Sequence, residues 1–473
     1  MDLDDIEAFD YEPRMSDSDA LMWSIEKDPL LRSTIVTVYV LDRAPDRAAF
    51  TRTMARASKV VPRLRQRVLG HPFSVAPPRW EIDRNFDLRY HLRWMSVAPD
   101  TPKAGALREV FDIAEPIAMQ GFDRARPLWE VTVVEGLPDG RAAVIAKIHH
   151  SITDGVGGMK LQMEMLDLER KPAERDDEPA TPEAQHLSER RRWLDAMSYE
   201  ARRQAGAARD AVGAAPDSLR RLVRDPVRAV SGVSETASSL FRMLRPATAP
   251  MSPLMTDRSL SIRFDTLQFP LQPLKEAAKL VAGRLNDAFV AGVAGGMRFY
   301  HEHHGFDVTD LRMTMPINIR DDSTSHKAGN QFVPARFPVP VGVADPIARM
   351  NAIRELVAEQ RAEPALSLTE PLANLLNRLP ATATTGVFGA MLKGTDFITS
   401  NVPGAPVPVF VAGGMVEAQI ALGPMTGSAA NIVLLSYCSD VNLGITIDPA
   451  AIPDTEVFVD CLRDGFEEIV KLV

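Results

Sequence analysis

Residues 418–439 carry no charge over 22 consecutive positions, a length that could cross a bilayer as one helix. Their content opposes that helix. Gly423-Pro424, Thr426-Gly427-Ser428 and Asn431 cut the stretch into two shorter apolar runs, the pattern of two strands joined by a turn. The chain is therefore expected to be globular and β-containing, with no transmembrane helix.

The same strand signals recur along all 473 residues. Residues 33–41 (STIVTVYVL) are rich in β-branched side chains, and residues 46–59 that follow have helical composition. Residues 129–135 and 142–148 form two apolar runs separated by Leu137-Pro138-Asp139-Gly140, a turn signal that predicts a hairpin. A second half restarts with alternation at 259–264, then helical residues at 274–285 and an apolar run at 288–300. Strand-like segments follow at 311–316, 332–341, 396–402, 408–411, 432–437 and 441–447, and a helix closes the chain near 455–472. The expected fold class is α/β in the layered α+β sense: two similar mixed-sheet domains facing each other across a cleft. The first spans residues 1–184 and ends in a Pro, Glu and Asp-rich linker, 185–250 is an arginine-rich helical connection, and 251–473 is the second domain.

That connection stands apart electrostatically. Residues 189–245 hold 12 arginines against 7 acidic residues, in a chain whose formal charge is -9. Apolar residues, Trp193, Leu194 and Met197 among them, punctuate the arginines. Two readings stand: helices that pack across the domains, or helices that lie on an anionic membrane surface. The acidic balance of the whole argues against nucleic acid as a partner. Cys438 and Cys461 lie in no CxxC or Cys/His spacing, so neither a zinc site nor a disulfide framework is expected. The acidic start MDLDDIEAFDYEPRM lacks the basic residues and apolar run of a secretory signal, which predicts a cytoplasmic protein.

Chemistry concentrates at His149-His150-Ser151-Ile152-Thr153-Asp154-Gly155, between a strand and a Gly-rich turn. A neutral imidazole is the side chain best suited to take a proton from an alcohol at neutral pH. Adjacent residues on a strand point to opposite faces, so only one of the two histidines can readily serve a given site. The same segment is not an HExxH metal helix, no GxSxG serine elbow exists, and GVGGMK lacks the GK[ST] ending of a phosphate loop. Structural alternatives stand beside function: a histidine pair can simply hydrogen-bond a turn, Asn286 can cap the helix that follows it, and Trp129 can be a core residue entering a strand.

HHSITDG matches the HHxxxDG signature of the coenzyme A-dependent acyltransferase superfamily, and further blocks resemble the bacterial wax ester synthase/diacylglycerol acyltransferase family. These are Pro127-Leu128-Trp129-Glu130, Asn286-Asp287, Met315-Pro316-Ile317-Asn318-Ile319-Arg320 with Gly329-Asn330-Gln331, and Ser400-Asn401-Val402-Pro403-Gly404, in the family's order. Ala405 departs from the family pattern in the last block. The resemblance implies an active-site histidine at the domain interface, reached by a channel that coenzyme A and the acyl acceptor enter from different sides. It implies His150 as general base with His149 beside it, Asn286 as oxyanion donor, Asp154, Gly155 and Asp287 as supports of the site, and Trp129, Ser400 and Asn401 as substrate contacts. The reaction implied moves a long-chain acyl group from acyl-coenzyme A to diacylglycerol or to a long-chain alcohol, directly and with no metal or other cofactor. Two alternatives are a non-catalytic lipid-binding protein of the same fold and an acyltransferase for a complex lipid alcohol. Peripheral association with a membrane or lipid-droplet surface is expected from the amphipathic substrates.

Overall fold

The computed structural model describes residues 11–70, 76–98, 102–152, 161–173, 179–184, 187–224, 249–318, 332–362, 373, 377, 385–386, 389–390 and 392–473. Helix α1 (Asp17–Ile25) starts at Ser16, whose hydroxyl accepts the Asp19 N–H. Alternation in strand β1 (Thr34–Leu41) sends Val36, Val38 and Val40 to one core cluster and Tyr39 and Leu41 to another. Covered on both faces, the strand takes a central place in its sheet. Helix α2 (Arg47–Val60) follows, capped by Asp46 on the Ala49 N–H at 2.7 Å. Strands β2 (Gln66–Leu69) and β3 (Arg79–Ile82) make a small separate pair. Helix α3 (Leu88–His91), strand β4 (Leu92–Ser96) and helix α4 (Ala106–Met119) then lead to β5 (Trp129–Glu135) and β6 (Ala142–His149). These last two strands are the predicted hairpin, closed by Asp139 and Gly140 at φ 62° and 74°.

The arginine-rich connection contains α5 (Glu189–Arg224), 36 residues long. The second half supplies β7 (Arg263–Pro270), α6 (Leu271–Lys279), α7 (Leu285–His303), β8 (Leu311–Asn318), β9 (Phe332–Val339) and α8 (Pro346–Arg361). Strands β10 (Phe397–Val402), β11 (Phe410–Val411), β12 (Gly414–Leu422), β13 (Ala430–Tyr437) and β14 (Asp440–Ile447) follow, and α9 (Thr455–Val470) closes the chain. One sheet runs β11-β12-β1-β6-β5-β4 and the other β7-β14-β13-β10-β8-β9. Both are mixed: β4 and β5 are parallel in the first, and β10 is parallel to β8 and β13 in the second. The expected layered fold of two similar mixed sheets is the one adopted.

Two expectations shift, and a third is met with a pairing that local pattern does not specify. The strand expected at 259–264 starts only at Arg263, because the Asp448 carboxylate accepts both the N–H and the hydroxyl of Ser259 and holds it off the ladder. The single helix expected over 274–285 is two helices, separated by a turn in which Ala282 is left-handed at φ 51°. The two apolar runs of 418–439 are strands, but they are not partners. β12 pairs with β1 in the first sheet, while β13 pairs with β10 and β14 in the second. The turn between them therefore crosses from sheet to sheet, and residues 251–473 lend β11 and β12 to a sheet otherwise built from residues 1–184. Where β12 lies over β14 the backbones almost touch: a Cβ at Gly444 would sit 1.9 Å from the Ala421 carbonyl oxygen, so the crossing requires glycine. Among the described residues no helix is long and apolar enough to cross a membrane.

Candidate active site

Strand β6 is buried along almost its whole length and delivers the histidine pair to the seam between the sheets. Its last residue, His149, pairs with Thr34 of β1, and the 3-10 turn His150–Ile152 begins immediately after. The His150 N–H donates to the Ser33 carbonyl at 2.9 Å, so the turn is tied to the chain entering β1. Ile152 packs in one apolar cluster with Val433 and Leu435 of β13, which brings the turn against the second sheet.

The two histidines have different environments. His149 is 1% exposed. Its Nε2 donates to the Glu26 carboxylate at 2.9 Å, and its Nδ1 accepts from the Ser151 hydroxyl at 2.7 Å and the Ser151 N–H at 3.1 Å. With both ring nitrogens engaged by protein, it is a structural element of the turn. His150 keeps some accessible surface. Burial first, and neighbouring His149 second, push its pKa from 6.5 down to about 4, against the opposing effect of a hydrogen bond from its ring to its own carbonyl.

A pH prediction follows from this shift. If Nε2 of His150 is the base, kcat/KM should stay level down through pH 6 and fall as the pH drops through about 4, where the imidazole protonates. Between about 6.5 and 4 the unfolded chain takes up a proton that the folded one does not, so stability also declines over that window. The rate is therefore to be referred to the folded fraction, followed by circular dichroism in the same buffers. An acid limb centred near pH 6.5 would exclude this buried imidazole as the base.

The other candidates divide between the two faces of the second sheet. Ser400 lies opposite Val433 in the register, on the face turned to the first sheet. Asn401 is exposed on the other face. Asn286 is the second residue of α7, on the helix-covered side, where its Nδ2 contacts only the weakly accepting thioether of Met315 at 3.5 Å among the described residues. Strands β8 and β10 pair over Phe397 and Ile398 with Met313 and Thr314, with no further pair among the described residues. Asp287 is buried and accepts the Arg284 N–H at 2.7 Å, completing a capping box at the start of α7. Trp129, a proposed substrate contact, belongs to the core: it is 1% exposed, its indole N–H donates to the Leu64 carbonyl at 2.8 Å, and it stacks on His91 at 4.4 Å. Asp154 and Gly155 lie outside the described residues, as do Arg320, Gly329, Asn330 and Gln331. No local signal in the sequence pointed to Glu26, because its partner His149 is 123 residues away.

A small cavity of about 60 Å³ opens beside this seam. Its apolar walls include Val36, Phe264 and Leu422, its rim carries Arg32 and Arg258, and it reaches Thr34, the register partner of His149.

Known proteins share this arrangement. Residues 15–289 match the wax ester synthase/diacylglycerol acyltransferase catalytic domain, and residues 328–470 match the C-terminal domain of that family. A relative from Mycobacterium tuberculosis (strain ATCC 25618 / H37Rv) that carries the name diacylglycerol O-acyltransferase is 37% identical over 465 residues, covering 97% of this chain and 93% of its own. The solved wax ester synthase/diacylglycerol acyltransferase of Marinobacter aquaeolei VT8 superposes with a TM-score of 0.62 at 19% identity, covering 97% of this chain and 98% of that one. The first condensation domain of the calcium-dependent antibiotic synthetase, in complex with a substrate analogue, superposes at 0.59 with 16% identity and 97% coverage of each chain. The two structures share the fold.

Proposed function

This chain belongs to the wax ester synthase/diacylglycerol acyltransferase family and is an acyltransferase, and from that premise we propose that it transfers a long-chain acyl group from acyl-coenzyme A to the hydroxyl of diacylglycerol, and secondarily to long-chain alcohols. The observation that carries the proposal is the state of His150: a half-buried imidazole at the turn that ends β6, kept neutral by burial, which pushes its pKa down to about 4. Nε2 takes the proton of the acceptor hydroxyl as that oxygen attacks the thioester carbonyl carbon. The tetrahedral oxyanion collapses, the C–S bond breaks, and the imidazolium returns its proton to the departing thiolate, leaving ester and free coenzyme A. No acyl-enzyme forms. Asn286 stabilises the oxyanion through its amide, whose only described contact is a thioether that a negatively charged oxygen displaces. Ser400 positions the thioester from the second sheet.

The test is release of coenzyme A thiol from palmitoyl-coenzyme A by the purified chain with diacylglycerol, hexadecanol or no acceptor. Acceptor-dependent release, faster with diacylglycerol, is expected. Release with neither acceptor would move the assignment to another lipid alcohol or a carrier-bound substrate.

The same reading places the enzyme at a lipid surface, on the cytoplasmic membrane face or on lipid droplets. Helix α5 supports this. One side of it is fastened to the first domain, with Arg192 on Glu81 at 2.9 Å, Asp195 under Arg14 and Arg79, and Arg203 on Asp17 at 2.9 Å. The other side exposes Trp193, Leu194 and Met197 at 44%, 50% and 50%, flanked by exposed Arg190, Arg191, Arg202 and Arg209. An apolar stripe bordered by cations suits an anionic bilayer surface. Replacing Trp193, Leu194 and Met197 together by Ser should lower co-sedimentation with phosphatidylglycerol-containing vesicles at least about tenfold, since each partly buried side chain contributes on the order of 1 kcal/mol. Unchanged sedimentation would remove α5 as the contact.

A further inference from the structure

The turn that carries His150 is gripped from outside the motif, and we propose that Glu26 is a positioning residue for the reaction: one of its carboxylate oxygens joins His149 to the chain entering β1 and thereby sets the orientation of His150. This inference rests on the reading of His150 as the base.

Glu26 is the C-cap of α1. Its Oε1 accepts the Ser33 N–H at 2.6 Å and the His149 Nε2–H at 2.9 Å. Each of those donors reaches His150 by a second bond. The Ser33 carbonyl accepts the His150 N–H at 2.9 Å, and His149 Nδ1 accepts the N–H of Ser151, the next residue along, at 3.1 Å. The backbone before, at and after the base is thus held by two arms that end on a single oxygen atom. Glu26 therefore acts on His150 through the peptide chain on either side of it.

The surroundings are built to keep this grip. The Glu26 and His149 side chains are 9% and 1% exposed. Trp23 and Phe122 wall the His149 ring edge-on, with centroids at 5.4 and 6.1 Å. Arg124 lies 4.0 Å above the Trp23 ring and 3.7 Å from the second Glu26 oxygen. Burial alone would raise the Glu26 pKa; the bonds from His149 and Ser33, with Arg124, outweigh it and hold the carboxyl below its ordinary range. The charge is thus retained inside the protein by the very groups that orient the turn. Positioning of this kind bears directly on rate, because a base displaced by about 1 Å can cost about 10²-fold.

The experiment compares Glu26→Ala, Glu26→Gln and His150→Ala with the wild type in the full chain, by kcat and KM for palmitoyl-coenzyme A and diacylglycerol, the pH profile and the thermal midpoint. Both donors land on one oxygen, so the carbonyl of a Gln amide can accept both, whereas Ala accepts neither. Glu26→Ala is expected to lower kcat about 10- to 100-fold with KM within about threefold. Its acid limb should move up from about 4 towards 6.5 as the loosened turn admits water to His150. Glu26→Gln should restore kcat to within about threefold of wild type. If Glu26→Ala does not fold, Glu26→Asp decides, since a side chain one methylene shorter cannot span both donors and should lose kcat as Ala would. Near-wild-type kcat in Glu26→Ala or Glu26→Asp overturns the proposal, as does a loss in Glu26→Gln equal to that in Glu26→Ala. A His150→Ala protein that keeps its activity would instead remove the reading of the base. A His150→Ala loss without a Glu26→Ala loss removes the positioning role alone.

Discussion

His150→Ala is expected to lower kcat for acceptor-dependent thiol release by at least about 10²-fold, the usual cost of a lost general base. KM for palmitoyl-coenzyme A should change little, because the imidazole meets the hydroxyl proton and not the acyl chain. The loss should be confined to the chemical step, leaving residual turnover from the bound and oriented substrates. His149→Ala makes the informative contrast. That ring is 1% exposed with both nitrogens bonded to Glu26 and Ser151, so its removal loosens the turn without removing a proton acceptor. It should cost kcat less than His150→Ala and should lower the thermal midpoint, since a buried carboxylate is left with one donor fewer. Equal kcat losses at the two positions would leave no basis for assigning the proton to His150, and a larger loss at His149 would reverse the assignment. Steady-state thiol release with both variants, beside a thermal melt of each, is sufficient.

The second large effect is expected at Asn286. Removal of one oxyanion donor costs about 10²- to 10³-fold in kcat where such a donor operates, and Asn286→Ala is predicted to fall in that range with KM preserved. The substitution should be nearly silent in stability. The amide contacts a thioether, and the start of α7 is capped by Asp287 and not by Asn286. That separation is useful because a helix-capping role for Asn286 predicts the opposite pattern: a loss of stability of about 1 kcal/mol and little change in kcat. Asn286 stands on the helix-covered face of the second sheet. A kcat for Asn286→Ala within about threefold of wild type would mean that the oxyanion is met from the face that carries Ser400. Ser400→Ala would then be the variant to lose rate.

Much of this fold could be read before any coordinates. The β-branched runs of β1, β5 and β6, the Leu137-Pro138-Asp139-Gly140 turn and the closing α9 all follow from local pattern, since alternation and turn chemistry act within a few residues. The place of the histidine pair, at the end of a strand and the start of a turn, was legible for the same reason. Trp129 shows where pattern stops. Its motif and its aromatic ring suited a substrate contact as well as a core position, and only the stacking on His91 and the bond to Leu64 decide for the core.

What the sequence alone determined is the set of strands and helices, the two-part layout, and a histidine placed at the end of a buried strand, each the product of short-range periodicity and of residues that start or stop an element. The tertiary structure decided the rest. It sent β12 and β13, adjacent in sequence, to different sheets, a choice made by the surfaces each strand could bury and by the contact at Gly444. It brought Glu26 to His149 across 123 residues. It lowered the His150 pKa to about 4, because desolvation belongs to the packed surroundings of a side chain and is not written in the residues beside it.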